Sequence, residues 1–197
     1  MNHVLRPDLA LIASWLRPGA RVLDLGCGDG SLLAHLRTHG EVTGYGVDIN
    51  DANILECAKK DVNAIQMNLE DGLSIFGDRS FDYVILSQTL QTVMHIEGLI
   101  REMLRVGREG IVTFPNFTYW HRRWQLLRGH MPVSPDLPYQ WFDTPNIHLC
   151  TVDDFEDLCA ARHITVEERA VLTHGRKREF LPNLLGSLAV YRISLQA

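Results

Sequence analysis

Two acidic residues and a run of glycines carry the clearest chemistry in this chain. Asp24-Leu25-Gly26-Cys27-Gly28-Asp29-Gly30 sets three glycines at alternate positions directly after a short apolar run, and Asp48 closes the next apolar run. Glycines let the backbone turn tightly and come close to a ligand, and a carboxylate at a strand end can accept both hydrogen bonds of a ribose 2′,3′-diol. The spacing is not the G-x-G-x-x-G of dinucleotide binders, because position 31 is Ser and the third glycine is Gly30. Asp24 would repel a pyrophosphate but attract an ammonium group, directly or through water. The ligand that fits has a ribose, a cationic amine and no phosphate.

Other groups offer less specific chemistry. Ser87, Gln88 and Thr89 follow a later apolar run and can orient a ligand, but they are poor bases. His95, His121, His148 and Asp143 could take up a proton, with a surface or structural role as the competing reading for each. Residues 114–142 hold half of the chain's Phe, Tyr and Trp residues, with Arg122, Arg123 and Arg128 between them. Three readings stand for this segment: a pocket for an anionic or amino-acid-like ligand, a partner interface rich in Trp, Tyr and Arg, or a lid packed over the core. Its candidate contact residues are Asn116, Tyr119, Trp120, Tyr139, Trp141 and His148. His148, Cys150, Cys159 and His163 are zinc-ligand types. His148 lies in a strand-like apolar stretch, however, so buried structural cysteines are expected and no metal. Arg176-Lys177-Arg178 reads as a solvated hairpin loop, with an acidic partner as the alternative.

These residues need a scaffold, and the hydrophobic pattern supplies one. Helical spacing over 7–16 precedes a short buried strand at 21–25, and a helix over 31–38 follows the glycines. Strands at 42–47, 64–67, 81–86 and 110–114 alternate with helices at 51–60 and 96–106, with Asn50 as an N-cap. Such alternation predicts βαβ units and an α/β fold, a doubly wound, mostly parallel Rossmann-like sheet. Residues 116–149 show no clear period. A helix resumes at Thr151, where Asp154 completes a capping box. Strands at 164–172 and 188–195, lacking a crossover helix between them, should pair antiparallel. The chain therefore reads as one domain: an N-terminal helix (1–20), a binding core (21–115), an aromatic cover (116–150), and a closing helix and strands (151–197).

At 197 residues the chain can bury a large core without a disulfide or metal staple. Its net charge of −5 disfavours a nucleic-acid binder, whose affinity would rest on a basic face. The longest apolar run is interrupted by Ser14 and falls well short of a membrane span, so no membrane partner is expected. The first residues lack a secretion pattern, and four cysteines fit reduced thiols, which together predict a cytoplasmic protein.

The segment from Val22 to Gly30, with Asp48, resembles motif I and the second-strand acidic residue of class I S-adenosylmethionine-dependent methyltransferases. That resemblance implies the class I methyltransferase fold. It also implies a cofactor, S-adenosylmethionine or S-adenosylhomocysteine, held by Asp24, Gly26, Cys27, Gly28, Asp29, Gly30, Asp48, Ile49, Asn68, Leu69, Ser87 and Gln88. In that superfamily an Asp at the third-strand end binds adenine; Asn68 stands there in this chain and can still accept from the adenine amino group.

Three further blocks are similar to the MetW family of methionine biosynthesis: residues 81–91, Phe114-Pro115-Asn116-Phe117, and Leu137-Pro138-Tyr139 continuing through residues 141–150. The resemblance implies a protein that works with, or regulates, a homoserine O-acetyl- or succinyltransferase. It leaves catalysis open, because the Asn/Asp-Pro-Pro-aromatic signature of amino methyltransferases is missing after the fourth strand. The alternatives are methyl transfer to a small-molecule acceptor and a domain that no longer binds cofactor.

Overall fold

The computed structural model describes residues 5–196. In chain order the elements are α1 (Pro7–Trp15), β1 (Arg21–Leu25), α2 (Ser31–Gly40), β2 (Thr43–Asp48), α3 (Asp51–Lys59), β3 (Ala64–Gln66), β4 (Phe81–Ser87), α4 (Ile96–Val106) and β5 (Gly107–Pro115). They continue as α5 (Trp120–Leu127), α6 (Val152–Ala161), β6 (Ile164–Thr173), β7 (Arg176–Lys177), α7 (Pro182–Leu185) and β8 (Leu188–Leu195), with single 3-10 turns at Leu69–Asp71 and Leu90–Thr92. One sheet runs in the order β3-β2-β1-β4-β5-β8-β6-β7. Its first five strands are parallel, whereas β8 is antiparallel to both β5 and β6.

The strand order reverses between β1 and β4, which pair Leu25 with Leu86 at their carboxyl ends. Connections diverge to opposite sides there and leave a crevice at the strand ends, the place where open α/β sheets bind ligands. The inner strands are apolar on both faces because helices cover both. Leu23, Val84, Val112 and Tyr191 pack into one layer with Met103 of α4 and Phe155 of α6. Val22, Ile85, Ile111 and Val190 pack into the other with Ile12 of α1 and Leu33 of α2. Phe114, Phe155 and Tyr191 form an aromatic cluster with ring centroids 4.8–5.9 Å apart.

The expected caps form: Asn50 accepts from the Ala52 amide, and the Thr151 hydroxyl from the Asp154 amide. Three expectations need correction. The segment with no clear period contains a helix, α5. Arg176 and Lys177 are strand β7 rather than loop, because a two-residue turn at His174-Gly175, both with positive φ, folds them back onto Leu172 and Thr173. His148 is not in a strand; its amide donates to the Gln91 carbonyl and its segment carries no regular structure.

Candidate functional site

The glycine loop leaves β1 and is tied to β2. Gly26 and Cys27 donate their amides to the Val47 carbonyl at 2.7 and 3.0 Å, and Gly28 donates to Asp48 Oδ2 at 2.9 Å. Gly26, Gly28 and Gly30 all have left-handed φ, from +56° to +73°, which only glycine adopts freely. Their surroundings differ. A Cβ on Gly26 would collide with the Thr89 side chain, and one on Gly30 would meet Cys57 Sγ at 2.8 Å, whereas one on Gly28 would meet nothing within 4 Å. Gly28 therefore lines an open cradle, and the other two are packed. Gly28→Ala should cost about 1–2 kcal/mol of backbone strain. Gly30→Ala adds a collision with Cys57 and Val62 and should unfold at a clearly lower temperature. Equal melting temperatures for the two variants would contradict this division.

Two carboxylates flank the cradle. Asp48 is 8% exposed; its Oδ1 accepts from the Asn50 amide at 2.9 Å and from Asn53 Nδ2 at 3.0 Å. With Gly28 on its other oxygen, Asp48 is rigidly oriented and keeps lone pairs for a further donor. Asp24 is 3% exposed, and its Oδ1 is buried without a hydrogen-bond partner among the described residues. Burial pushes its carboxyl up to about 7, with the Arg6 guanidinium opposing the rise and the Asp48 charge adding to it. A buried carboxylate left in this state is a socket for a cationic donor.

A cavity of about 640 Å³ opens beside these groups. It is lined by Gly26, Gly28, Asp48, Ile49, Asn68, Leu69, Ser87 and Gln88, all singled out by the sequence, and also by Tyr139. Asp24, Cys27, Asp29 and Gly30, also singled out by the sequence, are not among its lining residues. Cys27 turns into the core, 3.8 Å from the Cys57 sulfur, and burial raises its thiol well above the ordinary range. Asp29 is exposed and held by Ser31 and Lys60, whose contacts keep its carboxyl below the usual range against the opposing effect of burial. Asn68 caps the following 3-10 turn by accepting from the Glu70 amide, yet remains on the cavity wall. Thr89, offered by the sequence with Ser87 and Gln88, lines it too, as do Arg6, Asn53 and Met67, which the sequence reading missed. Asn53 had one legible sign, its place one turn into the helix after Asp48. Arg6, ahead of the Pro that opens α1, had none.

A second cavity of about 650 Å³ adjoins the first and shares Arg6, Gln88, Pro135 and Asp136 with it. Gln88 has φ of +52°, a strained conformation for a non-glycine residue, at the junction of the two. Of the aromatic-cover candidates, Tyr119 and Trp120 line this second cavity. Tyr139 lines the first, and the remaining three lie elsewhere. Asn116 is fully buried and donates to the Asn183 and Gly186 carbonyls, a structural tie. Trp141 is 71% exposed and lines neither cavity. His148 sits on the Met94 carbonyl at 3.3 Å. Among the candidate bases, His121 lines the second cavity, while His95 pairs with Glu70 and Asp143 caps the Gln140 amide. No group of three or more His, Cys, Asp or Glu side chains among the described residues is placed to hold a metal.

Arg122, one of the three arginines set among these aromatics, faces the core. It is fully buried, and its guanidinium donates to the Asn116 and Ser187 carbonyls at 2.5 and 3.0 Å, to Ser134 Oγ at 2.9 Å and to Asp136 at 3.4 Å. Desolvation lowers its pKa to about 10, with Asp136 opposing. It is also the one buried residue of α5. The outward side of that helix carries Trp120, Trp124 and Leu127, at 48%, 49% and 80% exposure.

Residues 6–193 match the family model described as methionine biosynthesis protein MetW. The chain belongs to the MetW family. The bifunctional methionine biosynthesis protein MetXA/MetW of Rhodopirellula baltica is 37% identical over 174 residues, 83% of this chain and 28% of that protein. This MetW chain spans from 27% to 58% of the length of five curated relatives it matches. The TehB-like SAM-dependent methyltransferase of Corynebacterium glutamicum superposes with a TM-score of 0.67 at 14% identity, covering 99% of the MetW chain and 90% of that one. The [4+2]-cyclase SpnF superposes with a TM-score of 0.69 at 16% identity, covering 96% and 80%. The MetW chain thus has the class I methyltransferase fold, and a fold that also carries a cyclase does not by itself imply methyl transfer. No helix among the described residues is long and apolar enough to cross a membrane.

Proposed function

We propose that this MetW-family protein binds S-adenosylmethionine or S-adenosylhomocysteine in the first cavity and works with a homoserine O-acyltransferase of methionine biosynthesis. The observation that carries the cofactor reading is the orphaned Asp24 carboxylate behind an open Gly28 cradle, with Asp48 fixed beside it. Asp24 would take the ammonium group, directly or through water. Asp48 would take the ribose hydroxyls, and Ile49, Asn68 and Leu69 would flank the adenine. When bound, S-adenosylmethionine would supply a methyl group on a sulfonium; the chain's own residues orient the molecule and exclude water from its amino-acid end.

The partner reading rests on the bifunctional relative, which carries MetXA and MetW in one polypeptide. The outward face of α5 suits a partner: Trp120, Trp124 and Leu127 repeat at helical spacing, with Arg128 stacked 4.9 Å over Trp124. Exposed Trp and Arg anchors of this kind dominate binding energy at interfaces. A regulatory role requires the cofactor to bind partner-competent and incompetent states with different affinity.

Calorimetry with both cofactor forms, followed by acyltransferase turnover with and without this protein, tests the reading. The expected results are saturable binding that Gly28→Val abolishes, and a change in turnover that depends on the cofactor. Absence of cofactor binding sinks the first half; unchanged turnover and no complex sink the second. Methyl transfer to a small acceptor is the alternative, favoured by the second cavity abutting the first, and labelled product from methyl-labelled cofactor would establish it.

A further inference from the structure

The second cavity has a charge pattern of its own. Asp8, 3% exposed, lines it and is neutralised by a neighbour: Arg6 contacts it through Nε at 3.2 Å and Nη2 at 2.8 Å, and Gln88 Nε2 adds a bond at 3.1 Å. This bidentate grip fixes the guanidinium and leaves its Nη1 edge without a hydrogen bond among the described residues. On the same wall, Asp136 receives a single long contact from Arg122, at 3.4 Å, and its Oδ1 accepts from none of the described residues. Arg6 and Asp136 form no ion pair with each other. Beside the Arg6–Asp8 and Arg122–Asp136 ion pairs, the cavity therefore keeps an open donor edge on Arg6 and an open acceptor oxygen on Asp136, between apolar walls made by Tyr119, Trp120, Leu172 and Leu188.

A simple amine would gain Asp136 but face Arg6, and a simple carboxylate would gain Arg6 but face Asp136. A phosphate ester would find a single open cationic edge, on Arg6, against the unpaired oxygen of Asp136. A molecule with both charges on one carbon and an uncharged side chain satisfies every wall. We propose that the second cavity is a binding site for a small zwitterionic α-amino acid, its carboxylate on Arg6, its ammonium on Asp136 and its side chain against Trp120 and Leu172. The inference goes beyond the cofactor reading; because Arg6 and Asp136 line the first cavity as well, titrations with and without saturating S-adenosylhomocysteine separate the two sites.

The test is calorimetry on the full chain with a panel of L-amino acids that includes L-norleucine, alongside pentylamine and hexanoate, which are norleucine without its carboxylate or without its amine. At least one amino acid should bind saturably, and norleucine should bind at least about tenfold tighter than either fragment, the value of one charge-assisted hydrogen bond. Asp136→Asn should weaken the amino acid while leaving hexanoate unchanged or improved, and circular dichroism would confirm that the variant is folded. Amino-acid binding should persist in Gly28→Val, and a parallel titration with S-adenosylhomocysteine reports the first cavity on its own. No binding by any amino acid, fragments that bind as tightly as norleucine, or affinity lost in Gly28→Val but kept in Asp136→Asn would each overturn the assignment.

Discussion

Asp24→Asn is expected to stabilise the ligand-free protein at pH 8 and, on the cofactor reading, to remove most of its affinity for S-adenosylmethionine. The carboxyl titrates near 7 in the folded chain and near 3.8 when exposed, because burial penalises its charge. Between those values the unfolded chain has released the proton and the folded chain still holds it. Stability from this group is therefore fully present below about pH 4 and is lost as pH rises through 7. The whole swing is bounded by about 4 kcal/mol, at 1.36 kcal/mol per pH unit. Asparagine keeps the shape of the neutral acid and cannot ionise. The stability difference between variant and wild type should thus widen in favour of the variant by about 3 kcal/mol from pH 5 to pH 8. Urea unfolding at both pH values measures it, and the same difference at both would refute the argument. Cofactor affinity should move the other way. An ammonium group prefers the ionised form, so wild-type binding should strengthen about tenfold per pH unit up to 7 and then level off, with no such slope in Asp24→Asn.

The second large effect concerns a residue with no place in the chemistry. Arg122→Met should destabilise the protein by about 3 kcal/mol, or roughly 6–12 °C in melting temperature for a chain of this size. Methionine fills much of the volume but takes one donor from each of the buried Asn116 and Ser187 carbonyls, which keep only the Tyr119 and Asn116 amides, and it strips Ser134 and Asp136 of their guanidinium partner. Those carbonyls lie at the exit of β5 and immediately before β8. Arg122→Lys should recover little, since one ammonium cannot reach partners that now take both terminal nitrogens and Nε. Denaturant unfolding with limited proteolysis of the segment after α5 reads both changes. A loss below 1 kcal/mol in Arg122→Met would show that the ties are dispensable.

The contrast between these two residues explains what a sequence can disclose. The glycine loop, Asp48 and the Asn50 and Thr151 caps are local devices: backbone turns and strand ends put the needed residues within a few positions of one another. The alternation of strands and helices likewise comes from short-range periodicity, and the antiparallel pairing of β6 and β8 from the lack of a crossover between them. Helix α5 was illegible because its pattern is inverted. Its apolar residues face solvent and an arginine faces the core, so a search for an inward apolar stripe finds no period. Asn116 was misread as a contact residue for a related reason, since an asparagine after a strand end serves a ligand or a buried carbonyl equally well. Arg6 reaches the site only through the packing of α1 against the sheet, a contact between residues about eighty positions apart from their partners at Ser87 and Gln88.

Most surface helices are held down by the same apolar side chains that give them their shape, so a change in what they display tends to disturb how they are anchored. In α5 the two duties fall on different residues. Directional bonds from Arg122 to main-chain carbonyls set the position of the helix, and those carbonyls persist whatever the neighbouring sequence becomes. Trp120, Trp124 and Leu127 contribute little to that attachment. Trp124 and Leu127, which line neither cavity, can therefore diverge from one lineage to the next, exchanging one recognition surface for another, while the sheet and the cavities beneath stay in place.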